Sequence, residues 1–326
     1  MTPEKVENGT HRHLYRVFGL TIASDVPLPE LAAAPFGGEP DIRICHQYLA
    51  PSANNGLPTS DDLRVDDDQV LLTIDQVARY RIRAGRDIAI DPLPGASERQ
   101  VRLFLLGSAL GIVCHQRGLL PLHANALVVN GRAVAFAGDS GAGKSTLAAH
   151  FQARGYEVLC DDVCMVEFRE GAPRVWPGLR RLKLWRDAAE RFGHAGKNEE
   201  LVAEGIDKLQ VPLAGNGATG PYPLSRLYLL ETGTPADIQR LRGANALQAV
   251  VANTYRNQFL PAMGLMPQHF RQATALAAKL GIFRARRRWG FDVFATEAAQ
   301  LERHMLCGDD AAVSATADNV GVHHDH

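Results

Sequence analysis

The chain has 326 residues, 46% of them apolar and 22% charged, with a formal net charge of −1. That is room for one large or two ordinary domains, and no global charge draws it toward nucleic acid or an anionic membrane. No apolar run reaches the ~18 residues of a bilayer span, Met1–Asn8 lacks the layout of a signal peptide, and five cysteines, an odd number, fit reduced thiols and a cytoplasmic setting.

Residues 1–13 are expected to be disordered, and a small β-rich domain is expected over 14–95. Its short β-rich runs are Tyr15–Ile22, Asp41–Cys45, Gln69–Ile74, Val77–Arg83 and Asp87–Asp91. Ala84-Gly85-Arg86 reads as a hairpin turn, and residues 50–68, rich in Pro, Ser, Asn and Asp, read as a loop. No catalytic constellation falls here, so the region is expected to serve docking or assembly. At Ser97 the period changes. Ser97-Glu-Arg-Gln100 matches a capping box, Val101, Phe104, Leu105, Ser108, Ala109 and Ile112 follow at helical spacing, and Gly118 stops the helix.

Residues 96–307 are expected to form an α/β catalytic domain organised by Gly138-Asp139-Ser140-Gly141-Ala142-Gly143-Lys144-Ser145-Thr146. This stretch fits G-x-x-x-x-G-K-[ST] at every fixed position. An apolar strand (Val134 to Ala137) precedes it and a helix follows. Such a loop cradles a polyphosphate on backbone N–H groups, with Lys144 reaching the β/γ-phosphates and the Ser145 hydroxyl on Mg²⁺. Asp139 and Ser140 shape the turn. A nucleotide and Mg²⁺ are the expected ligands of this loop. The strand before the loop is one arm of an antiparallel hairpin, because Asn130-Gly131 joins it to Leu122–Val129. A two-residue turn pairs Val129 with Arg132 and, counted back, His123 with Gly138. That register brings His123 to the mouth of the loop, whereas a Rossmann or Ras-like unit feeds its loop from a parallel strand.

After the loop helix, capped by Gly155, Tyr156–Cys160 reads as a strand ending in Asp161-Asp162. Two carboxylates at that place can divide two tasks, one on a divalent ion and one receiving a proton from an incoming hydroxyl. Asp161 follows Lys144 by only 17 residues, the economy of a small kinase. Cys160 and Cys164 have no second zinc-like pair and read as buried strand cysteines. Farther on, Met165–Phe168 and Arg174–Trp176 read as strands about a Gly171-Ala-Pro turn. Leu182–Phe192 reads as a helix and 193–220 as a mobile loop. Leu224–Leu230 reads as a strand, Ala246–Phe259 and Pro267–Leu280 as helices, Phe291–Phe294 as a last strand and Ala295–Leu306 as a last helix. The arginine run Arg284–Arg288 reads as a solvated face, Trp176 and Trp185 as core or contact residues, and 308–326 as a disordered tail whose histidines mimic a metal cluster.

The order hairpin with leading His123, Gly-Asp-Ser-Gly-Ala-Gly-Lys-Ser, helix, strand, Asp161-Asp162-Val163 resembles the catalytic domain of HPr kinase/phosphorylase and its relatives. The resemblance implies a P-loop core of the HPr kinase/PEP carboxykinase type, a mixed sheet with a hairpin before the P-loop. It also implies transfer of a phosphoryl group from ATP to a seryl hydroxyl. By it, His123 matches the active-site histidine, Lys144 the phosphate-loop lysine, Ser145 a Mg²⁺ ligand, Asp162 the proton acceptor, and Asp161 lies against the metal. A chain with a β-rich N-terminal region is similar to the branch found with lasso-peptide biosynthesis, which implies a peptide or small-protein acceptor. HPr-type kinases assemble into hexamers; the different N-terminal region here leaves a homo-oligomer as an open expectation.

Two departures bear on these expectations. The stretch Trp176–Trp185 lacks the family's Glu-[Val/Ile]-Arg-Gly glutamate, which puts reverse phosphorylase activity in doubt. No later arginine matches the family's catalytic one, and Lys208 and Arg256 are the candidates, each with a structural ion pair as the other reading. A small-metabolite kinase and a nucleotide sensor without transfer are the alternative functions.

Overall fold

The structure, a computed structural model, describes residues 13–35, 37–50, 63–66, 68–193, 200–203, 206–213 and 220–307. The expected disorder at 1–13 and 308–326 lies outside them but for His13, which is not disordered and opens the first strand, His13–Val17. In the N-terminal part, apolar and polar residues alternate, as in Ala78, Tyr80 and Ile82 (buried) against Arg79, Arg81 and Arg83. Such strands must bury one face. They form an eight-stranded mixed sheet, and its apolar face is covered by the helix expected after Ser97. The Ser97–Gln100 capping box is present. The helix runs through Glu98–Phe104, a π-helical turn Leu105–Ala109, and Leu110–Gln116. Tyr80 donates its hydroxyl to the Val101 carbonyl at 2.8 Å, pinning helix to sheet. Two readings change here. Tyr15–Ile22 is not one strand but the hairpin His13–Val17 and Leu20–Ser24, turning at Phe18 and Gly19, both at positive φ. The expected loop 50–68 contains strand Leu63–Asp66, which pairs Gln69–Ile74.

The second sheet has nine strands and mixed directions. Ala124–Val129 and Arg132–Ala137 form the Asn-Gly hairpin, with Val129 opposite Arg132 as counted from the turn. On the other side Arg132–Ala137 lies parallel to Tyr222–Thr232, which lies parallel to Gly281–Arg287. Period-two alternation sorts the loop-feeding strand between two helical layers. Val134 and Phe136 meet Leu147, Phe151 and Leu301 of helices Lys144–Ala153 and Phe291–Leu306. Ala133 and Ala135 meet Ala246, Val250 and Leu276 of Gly243–Ala252 and Met266–Lys279. Among the described residues no helix is long and apolar enough to cross a membrane.

Several expectations in this half are corrected. Leu182–Trp185 belongs to strand Arg181–Trp185, and only Arg186–Arg191 is helical. The alternation Arg-Leu-Lys-Leu-Trp buries Leu182 and Leu184 over the loop helix and leaves Lys183 on the other face. The mobile loop expected at 193–220 includes strands Glu200–Ala203 and Ile206–Pro212, which complete a three-stranded sheet with Arg181–Trp185. The helix expected to run to Phe259 ends at Ala252, where Thr254 bridges back to Leu122. Phe291–Phe294 is not a strand but the first turn of helix Phe291–Leu306.

Candidate active site

Gly138, Gly141 and Gly143 take φ of 137°, 90° and 84°. At Gly138 a Cβ would lie 2.6 Å from the Leu230 carbonyl oxygen, so both conformation and close approach require glycine. Helix Lys144–Ala153 starts at Gly143. Its first-turn N–H groups lack intrahelical partners and are available to an anion. The Lys144 ammonium donates to the Gly138 and Asp139 carbonyls at 2.7 and 3.1 Å. Burial pushes its pKa down, opposed by Asp162 and Asp161. Three side chains outside the motif fix the loop. Asn253 accepts from the Gly138 N–H at 3.1 Å, Asn125 donates to the Lys144 carbonyl, and Arg287 donates to the Ala142 carbonyl at 2.6 Å. Arg287 is buried, and that burial pushes its pKa down to about 10, where it remains a cation at neutral pH. The arginine run is therefore not simply a solvated face: Arg287 braces the loop and Arg288 pairs with buried Glu297 at 2.8 Å.

Strand Glu157–Cys160 ends in the carboxylate pair. Asp161 is buried, accepting the Ser145 hydroxyl on Oδ1 at 2.9 Å and the Lys183 backbone N–H on Oδ2 at 2.8 Å. Burial, aided by the charge of Asp162, pushes its pKa up to about 6 against those two hydrogen bonds. Asp162 has φ of 70°, a conformation that costs a non-glycine residue free energy. The Lys183 ammonium donates to its Oδ2 at 2.6 Å, and His123 Nδ1 stands 3.5 Å from its Oδ1. Burial alone would raise the Asp162 pKa, but the Lys183 charge and hydrogen bond, with the Lys144 charge, outweigh it and hold the carboxyl below its ordinary value. His123 breaks the strand between Leu120–Leu122 and Ala124–Val129, is fixed by its N–H to the Asn253 carbonyl at 2.7 Å, and stacks on Tyr255. Burial and the Lys144 charge lower its pKa, so the imidazole is neutral at pH 7.

Two cavities meet at these residues. One, of about 280 Å³, holds the loop from Ser140 to Thr146 and is rimmed by Trp185, Lys208, Arg287 and Trp289. The other, of about 500 Å³, is more open and lies between Leu103–Phe104, Asp139 and the segment Ala252–Gln258. His123, Ser140, Asp162 and Lys183 line both. A larger cavity of about 550 Å³, beside Trp176 and Tyr156, contains none of the loop residues.

Among solved structures, the chain is similar to the HPr(Ser) kinase/phosphatase from Coxiella burnetii. The identity is 12% and the TM-score 0.33, over 61% of this chain and 98% of that one. No protein-family model and no curated protein matches the sequence. So remote a likeness leaves the chemistry to this chain's own residues.

The structure thus brings together His123, Gly138 to Ser145, Asp161 and Asp162, and separates the two candidate cations. Lys208 lies in the first cavity, its ammonium 4.7 Å from the Trp185 ring centre. Arg256 lies in the second, over Tyr255, at φ of 55°. Trp185 is 46% exposed on a cavity rim rather than in a core. Cys160 and Cys164 are buried strand cysteines as read from the sequence. Lys183 is one residue that sequence reasoning missed. It stands in the very stretch that lacks the glutamate, so an ammonium faces the carboxylate pair there. Its signal was the strict alternation of residues 181–185. A divalent ion would be held by Ser145 Oγ and the buried Asp161 carboxylate, and these hard oxygens fit Mg²⁺, which binds through one or two carboxylates plus substrate phosphates. Among the described residues no group of three or more His, Cys, Asp or Glu offers a fuller cage.

Proposed function

We propose that the protein transfers the γ-phosphoryl group of ATP to a seryl hydroxyl of a peptide or small protein, of the kind made as a ribosomal precursor peptide. The observation that carries this reading is the position of Asp162. Its carboxylate lies where the phosphate-loop cavity meets the open cleft, held between Lys183 and His123. A phosphate donor on one side and a hydroxyl on the other would meet there.

Mg²⁺ held at Ser145 and Asp161 would supply charge neutralisation on the phosphates. The loop and Lys144 bind and orient the donor. The seryl oxygen forms its bond to the γ-phosphorus as the bond to the β-bridging oxygen breaks, ADP leaves, and the hydroxyl proton passes to Asp162. A carboxylate of low pKa suffices, because in a loose phosphoryl-transfer transition state little is asked of the base beyond positioning. The neutral imidazole of His123 steadies Asp162 without adding charge. The open cleft favours a chain segment over a small metabolite, and serine as acceptor is supported by the motif order from His123 to Asp162.

The test is to incubate the protein with ATP, Mg²⁺ and serine-containing peptides and to look for the added phosphoryl mass. Asp162→Asn is expected to lose transfer by about a hundredfold or more while keeping nucleotide affinity. Undiminished turnover in that variant would remove Asp162 from the role given to it.

A further inference from the structure

Asp162 and Lys183 also line a third and smaller chamber, of about 60 Å³. Its far wall is helix Glu98–Phe104, which packs on the N-terminal sheet. Leu103 and Gly107 of the helical segment are shared between this chamber and the open cleft. Gly107 lies in the π-helical turn and faces Tyr255, whose hydroxyl would be 3.2 Å from an added Cβ. Single π turns of this kind recur at functional sites.

The chamber is lined by four cations, and three are engaged. Arg102 Nε bonds Glu30 at 2.9 Å, Arg181 bonds Gln210 at 2.7 Å, and Lys183 bonds Asp162. Arg99 differs. Its Nε and Nη2 are both buried and both without a hydrogen-bond partner. Those two nitrogens form one edge of the guanidinium, with parallel N–H bonds at the spacing of a carboxylate's two oxygens. Buried donors left without partners are costly, so an unpartnered edge on a residue that lines a chamber beside Asp162 calls for a ligand. Glu30 keeps one buried oxygen unpaired in the same chamber but is tied to Arg102 through the other.

We propose that this helix reads the phosphoacceptor: the Nε–Nη2 edge of Arg99 binds a carboxylate of the acceptor peptide while its seryl hydroxyl lies at Asp162. The proposal rests on the transfer reading above. Arg99 and Asp162 line one small chamber, which places the carboxylate within one or two residues of the serine, at about 3.5 Å of reach per residue. An Asp or Glu side chain and a C-terminal carboxylate present the same chemistry.

The experiment uses the full chain with ATP, Mg²⁺ and a serine-centred peptide library. Each flanking position carries Glu or Gln in turn, and each peptide is made with a free or an amidated C-terminus. Wild type should favour the carboxylate over its amide counterpart at one position by about tenfold or more in kcat/KM, expressed mainly in KM. Arg99→Ala should bring that ratio close to one, and Arg99→Lys should restore it only in part, because an ammonium lacks the fork. ATP affinity reports whether each variant is folded. A preference confined to free C-termini assigns the carboxylate to the chain end, and one that follows Glu assigns it to a side chain. Equal rates on Glu and Gln peptides and on free and amidated ones, or a preference that survives Arg99→Ala, overturns the proposal. If no peptide is phosphorylated, the transfer reading falls. Fluorescence anisotropy of the same peptides with ADP then decides on Arg99: a carboxylate preference in binding that Arg99→Ala removes upholds it, and no such preference overturns it.

Discussion

Replacing Asp161 by Asn should make the metal-free protein more stable at neutral pH while destroying its activity. Asp161 is buried, and its pKa is pushed from an ordinary 3.8 up to about 6, first by burial and then by the charge of Asp162. At ~1.4 kcal/mol per tenfold in proton affinity, that displacement costs the ionised native state about 3 kcal/mol. The sign follows from which state holds the proton. Below pH 3.8 both folded and unfolded chains carry it and there is no penalty. As pH rises toward 6 the unfolded chain releases its proton first, so the folded state loses ground, and above 6 the full penalty applies. Asn keeps the geometry, because its amide oxygen can accept the Lys183 N–H and its NH₂ can donate to the Ser145 hydroxyl, whose own proton is free to turn. Allowing for imperfect replacement of those bonds, the variant should gain about 1–3 kcal/mol at pH 7.5 and nothing near pH 4. Urea unfolding across that range, in chelator, measures it. A gain independent of pH, or a loss at pH 7.5, would refute the reasoning, since it would mean that the carboxylate is not held against its solvation.

Lys183→Met removes the charge that outweighs burial at Asp162, so the Asp162 pKa should rise. The acid limb of the transfer rate should then move to higher pH, with the Lys183→Arg variant between; an unmoved limb would separate Lys183 from the base. Trp289 is 64% exposed on the rim of the phosphate-loop cavity, and Trp289→Ala should weaken ATP binding by about 1–2 kcal/mol, the worth of one stacked base, while leaving tripolyphosphate binding unchanged. Equal losses for both ligands would show a general disturbance of the cavity.

What could be read in the sequence is what local chemistry dictates. Gly138, Gly143 and Lys144 have fixed conformational and electrostatic roles, Asn130-Gly131 fixes a hairpin register, and Ser97 with Gln100 starts a helix, all without reference to the rest of the chain. What could not be read depends on partners distant in sequence. Arg181–Trp185 alternates like a strand, yet Leu182 and Leu184 also suit a helix, and only pairing with Ile206–Pro212 decides. Gly281–Arg287 was hidden by its arginines, because a buried Arg287 makes sense only beside the Ala142 carbonyl. Phe291–Phe294 alternates over four residues, too short a window to tell a strand from a first helical turn. In the site, His123 and the carboxylate pair were visible as motif members. Lys183 and Arg99 were not, because nothing about a lone cation in a sequence shows which acid or cavity it will face.

Val163 follows directly after Asp162 and is buried in the hydrophobic core of the N-terminal strands, alongside Met165 and Phe259. The strained turn that carries Asp162 is therefore anchored in the other half of the molecule. Any change in the packing of the N-terminal core reaches the residue directly after Asp162. The two halves should consequently melt as one cooperative body, and amide exchange at Val163 should follow the stability of the strands around Ile44 and Tyr80 rather than that of the phosphate loop.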